Sequence, residues 1–256
     1  MIPKIFTPVR VLTIAASDCS GGAGIQADIK TITMLGGYAM SAITAITVQD
    51  TRGVHAVEPL ASELVIAQID ACLSDIGVDA IKIGMLGSAA TAARVAERLA
   101  ALDGRIPIVF DPVMIASSGD ELTDCDTVAG FAALMRLAAL ITPNVAELTA
   151  LGGAGALAAL GRPWLAKGGD RPGAVVTDVL TVPGEQPRHY AAPRITTRHT
   201  HGTGCTLSSA IATELARGVS LPEAVERARQ FVRAALENAP GFGAGAGPLG
   251  HGQVGR

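Results

Sequence analysis

Cysteine is scarce and scattered in this chain of 256 residues: Cys19, Cys72, Cys125 and Cys205 lie about fifty residues or more apart, with no C-x-x-C pair. That spacing excludes a zinc ribbon and a dense disulfide framework, and it fits a reducing, cytoplasmic setting. Aromatic residues make up only 3%, too few to supply a stacking platform. The formal net charge is -3 with Lys and Arg dispersed, which leaves no basic stripe to follow a nucleic-acid backbone. A phosphate must therefore be held by local geometry. The opening MIPKIFTPVR has no apolar signal-peptide core. The longest uncharged run, Thr31 to Gln49, is broken by Gly36-Gly37 and several hydroxyl residues, so no membrane span is expected.

What is present is apolar material for a large core: 49% hydrophobic against 17% charged residues. It is arranged in alternation. VLTIAA (11–16), AITAITV (42–48), AIKIG (80–84), IPIVF (106–110) and ALI (139–141) read as strands. Helical patterns follow near 25–35, 63–75, 89–102 and 126–138, and NVAELTAL follows the last strand. Strands that are apolar throughout, separated by helices, predict a mostly parallel sheet covered on both faces, an α/β fold of three layers. VVTDVLTV and RHYAAPRI, around a PGEQP turn, predict an antiparallel hairpin at one edge of the sheet. Two helices, 204–217 and 222–239, complete one domain over 1–240, and seven glycines between 241 and 256 predict a flexible tail.

Two glycine loops stand out. After VLTIAA comes SDCSGGAGIQAD, where Gly22, Gly24 and Ala27 match G-x-G-x-x-A and Asp50 lies 26 residues beyond Gly24. In a dinucleotide fold the glycines turn directly off the strand, whereas Ser17 to Gly21 intervene here, and the second loop would be left without a role. That second loop, HGTGCTLSS, runs into a helix. A helix start offers unpaired N–H groups and partial positive charge, so Gly202, Thr203 and Gly204 can bring amides up to a phosphoryl oxygen. Cys205 then sits beside the reacting centre, where the same field is expected to lower its pKa. A buried structural thiol is the alternative.

Other polar positions admit two readings each. Asp28 is either a solvated helical carboxylate or an acceptor for a ligand amine. Asp111, in VFDPVM, ends a strand on the ligand-binding side of such sheets and can equally cap the next turn. Asn144 and Glu147 have N-x-x-E spacing, which suits a capping box and also a metal-bound phosphate. Lys167, in LAKGGD, is either a surface lysine or the ammonium that neutralises a transferring phosphate. His199 and His201 form H-x-H, but without a third ligand they are read as non-metal.

In order along the chain, DCSGGAGIQAD, KIGML, FDPVM, TPNVAEL, AKGGD and HGTGCTL resemble the hydroxymethylpyrimidine/phosphomethylpyrimidine kinases of thiamine biosynthesis, a branch of the ribokinase-like superfamily. The resemblance implies a three-layer α/β/α sandwich, often dimeric. It implies transfer of the ATP γ-phosphoryl to 4-amino-5-hydroxymethyl-2-methylpyrimidine and then to its monophosphate. By the same resemblance, Ala16, Asp28, Gln49, Met85 and Val113 line the pyrimidine pocket, and Gly202 to Cys205 form an anion hole with the thiol as base. Asp111, Asn144, Glu147, Lys167 and Thr203 organise Mg-ATP, with Asp111 and Glu147 on the Mg2+. Three departures are visible: Ala16 and Cys19 stand where Gly and Pro are usual, the segment from Glu147 to Lys167 is short enough to lose a helix, and KGGH has become KGGD at Asp170. Related pyridoxal kinases share the cysteine motif, and a non-catalytic nucleotide-binding regulator is the reading from a different class.

Overall fold

The computed structural model describes residues 7–114 and 125–254. Nine strands form one sheet in the order β3-β2-β1-β4-β5-β6-β7-β8-β9. They are β1 (Arg10–Asp18), β2 (Tyr38–Gln49), β3 (Val54–Pro59), β4 (Ala80–Ile83), β5 (Ile108–Phe110), β6 (Leu140–Ile141), β7 (Trp164–Ala166), β8 (Val175–Thr181) and β9 (Arg188–Pro193). From β2 to β7 every pairing is parallel; β3 at one edge and β8 and β9 at the other run antiparallel. The hairpin at 175–193 matches the sequence pattern. Strand β3 does not announce itself, because Val54–Pro59 is short, largely exposed and carries His55 and Glu58 among its apolar residues.

The helices divide between the faces. Helices α2 (Ser62–Ala71), α3 (Ala89–Ala100) and α4 (Cys125–Leu137) cover one side, and α1 (Gly24–Met34), α7 (Thr203–Ala216) and α8 (Leu221–Glu237) the other. Each side has its own core: Leu12, Ile14, Ile81, Ile83 and Phe110 face the first group, whereas Val11, Ala80, Val109 and Leu140 face the second. Alternate strand residues thus serve opposite layers, which is why the strands are apolar throughout. Phe110 and Phe131 meet edge to face at 5.1 Å. Between β6 and β7 the chain still forms two short helices, α5 (Val145–Ala150) and α6 (Gly153–Ala159). The short segment therefore keeps a helical turn before β7, because Ala and Leu supply enough propensity and Leu157 enough burial.

The glycine-rich tail is corrected as far as residue 254. Leu249 and His251 are buried, Pro248 bridges His201, and the Gly250 amide donates to the Ala235 carbonyl at 2.8 Å. Its glycines permit close approach: a Cβ on Gly250 would run into the Asn238 carbonyl, and one on Gly245 into the Thr51 carbonyl. Glycine here serves docking rather than freedom. His251 Nε2 pairs with Thr206 Oγ1 at 2.8 Å, and burial pushes the imidazole pKa down to about 4, helped by the Lys30 charge. The last two residues of the expected tail lie outside the described residues.

Candidate active site

The carboxyl ends of the parallel strands open into one cavity of about 1090 Å³. Ala16, Gln49, Met85, Val113, Asp111 and Lys82 are in its wall, as are Asn144, Glu147, Lys167 and the whole run Gly202 to Cys205. Ala16, Met85 and Val113 gather in a small apolar cluster with Ala45 and Val57. Residues on or just beyond β1, β2, β4, β5 and β7, with α5 and α7, thus converge on one place, although they are scattered along the chain.

The two glycine loops are built against each other. Gly202 has φ +87°, and a Cβ on it would overlap the Gly22 carbonyl oxygen; a Cβ on Gly22 would strike the His201 ring. Only glycine fits at such backbone contact. The joint is locked by Asp18, whose carboxylate accepts the amides of Ser20 at 2.8 Å, Gly22 at 3.0 Å and Ala23 at 2.7 Å and faces His201 Nε2 at 2.8 Å. Burial works to raise the Asp18 pKa, but His201 and the amides outweigh it and hold the carboxyl below its ordinary value. His201 is therefore a strut between the two loops. The sequence offered no sign of this pairing beyond two polar residues beside glycines.

Helix α7 starts at Thr203 with Gly202 as its left-handed cap. Among the described residues the Gly202, Gly204 and Cys205 amides have no protein acceptor, while the Thr203 amide donates to Thr200 O at 3.2 Å. A Cβ on Gly204 would stand 3.2 Å from Lys167 Nζ and 3.5 Å from Asp111 Oδ2. The free amides, the ammonium and the carboxylate thus share one space. Lys167 Nζ donates to Asp111 Oδ1 at 2.7 Å and lies 3.6 Å from Glu147 Oε2. Burial opposes that ammonium's charge, but the Asp111 and Glu147 carboxylates overcome it and raise the Lys167 pKa. Asn144 and Glu147 do form a capping box, with bonds of 2.8 and 2.7 Å, and the Glu147 carboxyl is pushed up by burial against the pull of Lys167. Capping and a role at the cavity coexist.

Two expectations change. Asp28 does not reach the cavity: it is fully buried and accepts Lys82 Nζ at 2.9 and 3.0 Å, Thr13 Oγ1 at 2.5 Å and Ser209 Oγ at 2.6 Å. Its place one turn into α1 turns it inward onto β4 rather than toward a ligand. The Cys205 thiol is pushed up to about 11, not down. Burial is the main cause; Lys82 and the Gly24 amide pull it back, and the Asp28 and Asp111 carboxylates add to the rise. Desolvation outweighs the helix field. Lys82 is the residue that sequence reading missed. Burial works against its charge, yet Asp28, with Cys205 and Asp111 nearby, holds the ammonium pKa up. A lysine inside the apolar run AIKIG was the available signal, since an unpaired lysine is almost never fully buried.

Among the described residues no three His, Cys, Asp or Glu side chains converge as a metal cage. Two hard carboxylates beside free amides suit Mg2+, which keeps waters and takes most of its remaining ligands from phosphate oxygens.

The phosphomethylpyrimidine kinase family model matches residues 18–250. The chain belongs to that family. A hydroxymethylpyrimidine/phosphomethylpyrimidine kinase of Streptomyces coelicolor is 44% identical to this family member over 260 residues, covering 96% of the chain and 95% of the relative. Among solved structures, a pyridoxal kinase from Staphylococcus aureus in complex with AMP-PCP and pyridoxal superposes with a TM-score of 0.88 at 32% identity, covering 98% of this chain and 96% of that one. A phosphomethylpyrimidine kinase from Clostridium difficile gives 0.74 at 36% identity, with 88% and 99% covered. The ribokinase-like α/β fold expected from the motifs is the fold of these kinases. Among the described residues no helix is long and apolar enough to cross a membrane.

Proposed function

We propose that the cavity holds Mg-ATP against a hydroxymethyl pyrimidine, with the amides at the start of α7 between them. The chain is a hydroxymethylpyrimidine/phosphomethylpyrimidine kinase of thiamine biosynthesis. It phosphorylates 4-amino-5-hydroxymethyl-2-methylpyrimidine and then the monophosphate. The observation that carries the site assignment is the meeting of the unpartnered Gly202, Gly204 and Cys205 amides with Lys167 in one cavity. Donors aimed where charge develops contribute most to phosphoryl transfer, because the loose transition state asks mainly for positioning and neutralisation.

Gln49, Met85, Val113 and Ala16 receive the ring; Asp28 is withdrawn from that set. Lys167 and the α7 amides hold the γ-phosphoryl oxygens. Asp111 and Glu147 would hold Mg2+, which supplies charge neutralisation on the phosphates. Cys205 is the proton acceptor for the substrate alcohol. With a thiol pKa of about 11, the thiolate is a small fraction near neutrality, roughly one part in ten thousand at pH 7, but it is a correspondingly stronger base once formed. The second transfer needs no such base, since a phosphate monoester with second pKa of about 6 is already largely ionised. The homodimer implied by the resemblance belongs to this proposal and is read by light scattering.

Phosphorus NMR of reactions with Mg-ATP tests the reading, with the hydroxymethylpyrimidine, its monophosphate and pyridoxine run in parallel. Pyridoxine is included because a pyridoxal kinase is a close structural neighbour. The expected products are the pyrimidine monophosphate and diphosphate. ATP turnover on pyridoxine alone would overturn the assignment of substrate, and no turnover on any alcohol would favour a regulator.

A further inference from the structure

The side-chain amide of Gln49 has two ends of opposite polarity, and a neighbouring hydroxyl decides which end faces the ligand. Thr47, two residues earlier on β2, is almost fully buried. Its Oγ1 donates to the Ser17 carbonyl at 3.0 Å, just where the β1–β2 register breaks between Ala15 and Ser17. The same oxygen accepts Gln49 Nε2 at 2.8 Å. A hydroxyl has one proton, and a carbonyl can only accept. With that proton committed to Ser17, Thr47 offers Gln49 nothing but lone pairs, so the NH2 end must turn toward it. The Gln49 backbone is held as well, since Cys19 Sγ donates to its carbonyl at 3.2 Å and accepts its amide at 3.4 Å.

We propose that Thr47 is a positioning residue: it fixes the polarity of Gln49 and so selects a ring that carries an amine donor beside a ring-nitrogen acceptor. Among the described residues nothing donates to Gln49 Oε1, and Gln49 lines the cavity. The amide therefore presents Oε1 to accept from an exocyclic amine and its second N–H to donate to the adjacent ring nitrogen. A ring with only an acceptor at the amine position sets lone pair against lone pair. Discrimination of this kind comes from leaving a site's polar group unpaired, and it exceeds what shape alone provides. The proposal rests on Gln49 reading the pyrimidine, and the experiment separates the two ideas.

The probes are the 4-amino substrate and its 4-oxo lactam analogue, in which a carbonyl acceptor replaces the amine donor and the adjacent ring nitrogen carries a proton. In the unaltered enzyme kcat/KM should favour the amine by at least about tenfold. Thr47→Val, with Thr47→Ala as a second variant, should let the amide turn: KM rises for the amine and falls for the lactam, with kcat for each changed by less than about twofold, whereas Thr47→Ser restores the original ratio. A merely structural loss would raise both KM values together. No preference in the unaltered enzyme, or an unchanged ratio in the Val and Ala variants, overturns the proposal. Gln49→Ala distinguishes the failures: unchanged KM values for both rings would remove Gln49 from the pocket, while a raised KM beside an unchanged Thr47→Val ratio would sink the polarity argument alone.

Discussion

Replacing Lys82 by Met takes the cation from a fully buried pair whose Nζ lies 2.9 and 3.0 Å from the two oxygens of Asp28. Asp28 keeps only the hydroxyls of Thr13 and Ser209, two neutral donors for a carboxylate without water. At an effective dielectric of about 20, the lost attraction is roughly 6 kcal/mol. Breaking a buried pair by removing one partner leaves an uncompensated charge and costs about 3–5 kcal/mol, the rest of the lost attraction being offset because the lysine is no longer desolvated. Urea unfolding should therefore show Lys82→Met destabilised by about 3–5 kcal/mol. The double variant with Asp28→Asn removes both charges and should recover most of the loss, as neutral replacement of buried pairs does. A single-variant loss below about 1 kcal/mol, or a double variant no more stable than the single one, would refute the picture of a dry pair.

Two further outcomes follow from titrating groups. Cys205, with its thiol pushed up to about 11, should react with iodoacetamide roughly a hundredfold more slowly at pH 8 than an ordinary thiol, and its rate should climb about tenfold per pH unit up to pH 10; peptide-resolved mass spectrometry separates it from exposed Cys19, and a rate plateau near pH 8 would contradict the burial argument. His251 has a folded pKa lowered to about 4, so the unfolded chain binds the extra proton between about pH 6.5 and 4; stability present above pH 6.5 should fall across that window by an amount on the order of 3 kcal/mol. His251→Gln, which can still bond Thr206, should flatten that part of the melting profile, and an unchanged acid slope would count against the docked tail.

The layered fold was legible because the apolar runs are long enough to exclude half-exposed strands, and because the PGEQP turn marks the edge hairpin. The cavity wall was legible where glycine was the signal: a Cβ on Gly202 would overlap the Gly22 carbonyl, one on Gly22 would strike the His201 ring, and one on Gly204 would crowd Lys167 Nζ at 3.2 Å. What escaped was decided by tertiary pairing. Asp28 and Lys82 are 54 residues apart, and the facing of a helical carboxylate toward β4 rather than the cavity depends on how α1 docks. Cys205 lines the cavity, but its pKa moves opposite to the expected direction, because a helix field is local while desolvation depends on everything packed around the sulfur. The tail misled because composition alone does not distinguish glycines that flex from glycines that let Asn238 and Thr51 come close.

The central claim is that the α7 amides grip the migrating phosphoryl while the Cys205 sulfur takes the alcohol proton. Phosphorus NMR of Cys205→Ala, following the two phosphorylations separately, tests it most directly. The account predicts that the alcohol step falls by about a hundredfold or more while the monophosphate step falls less than about tenfold. Equal loss in both steps, or none in either, would contradict it.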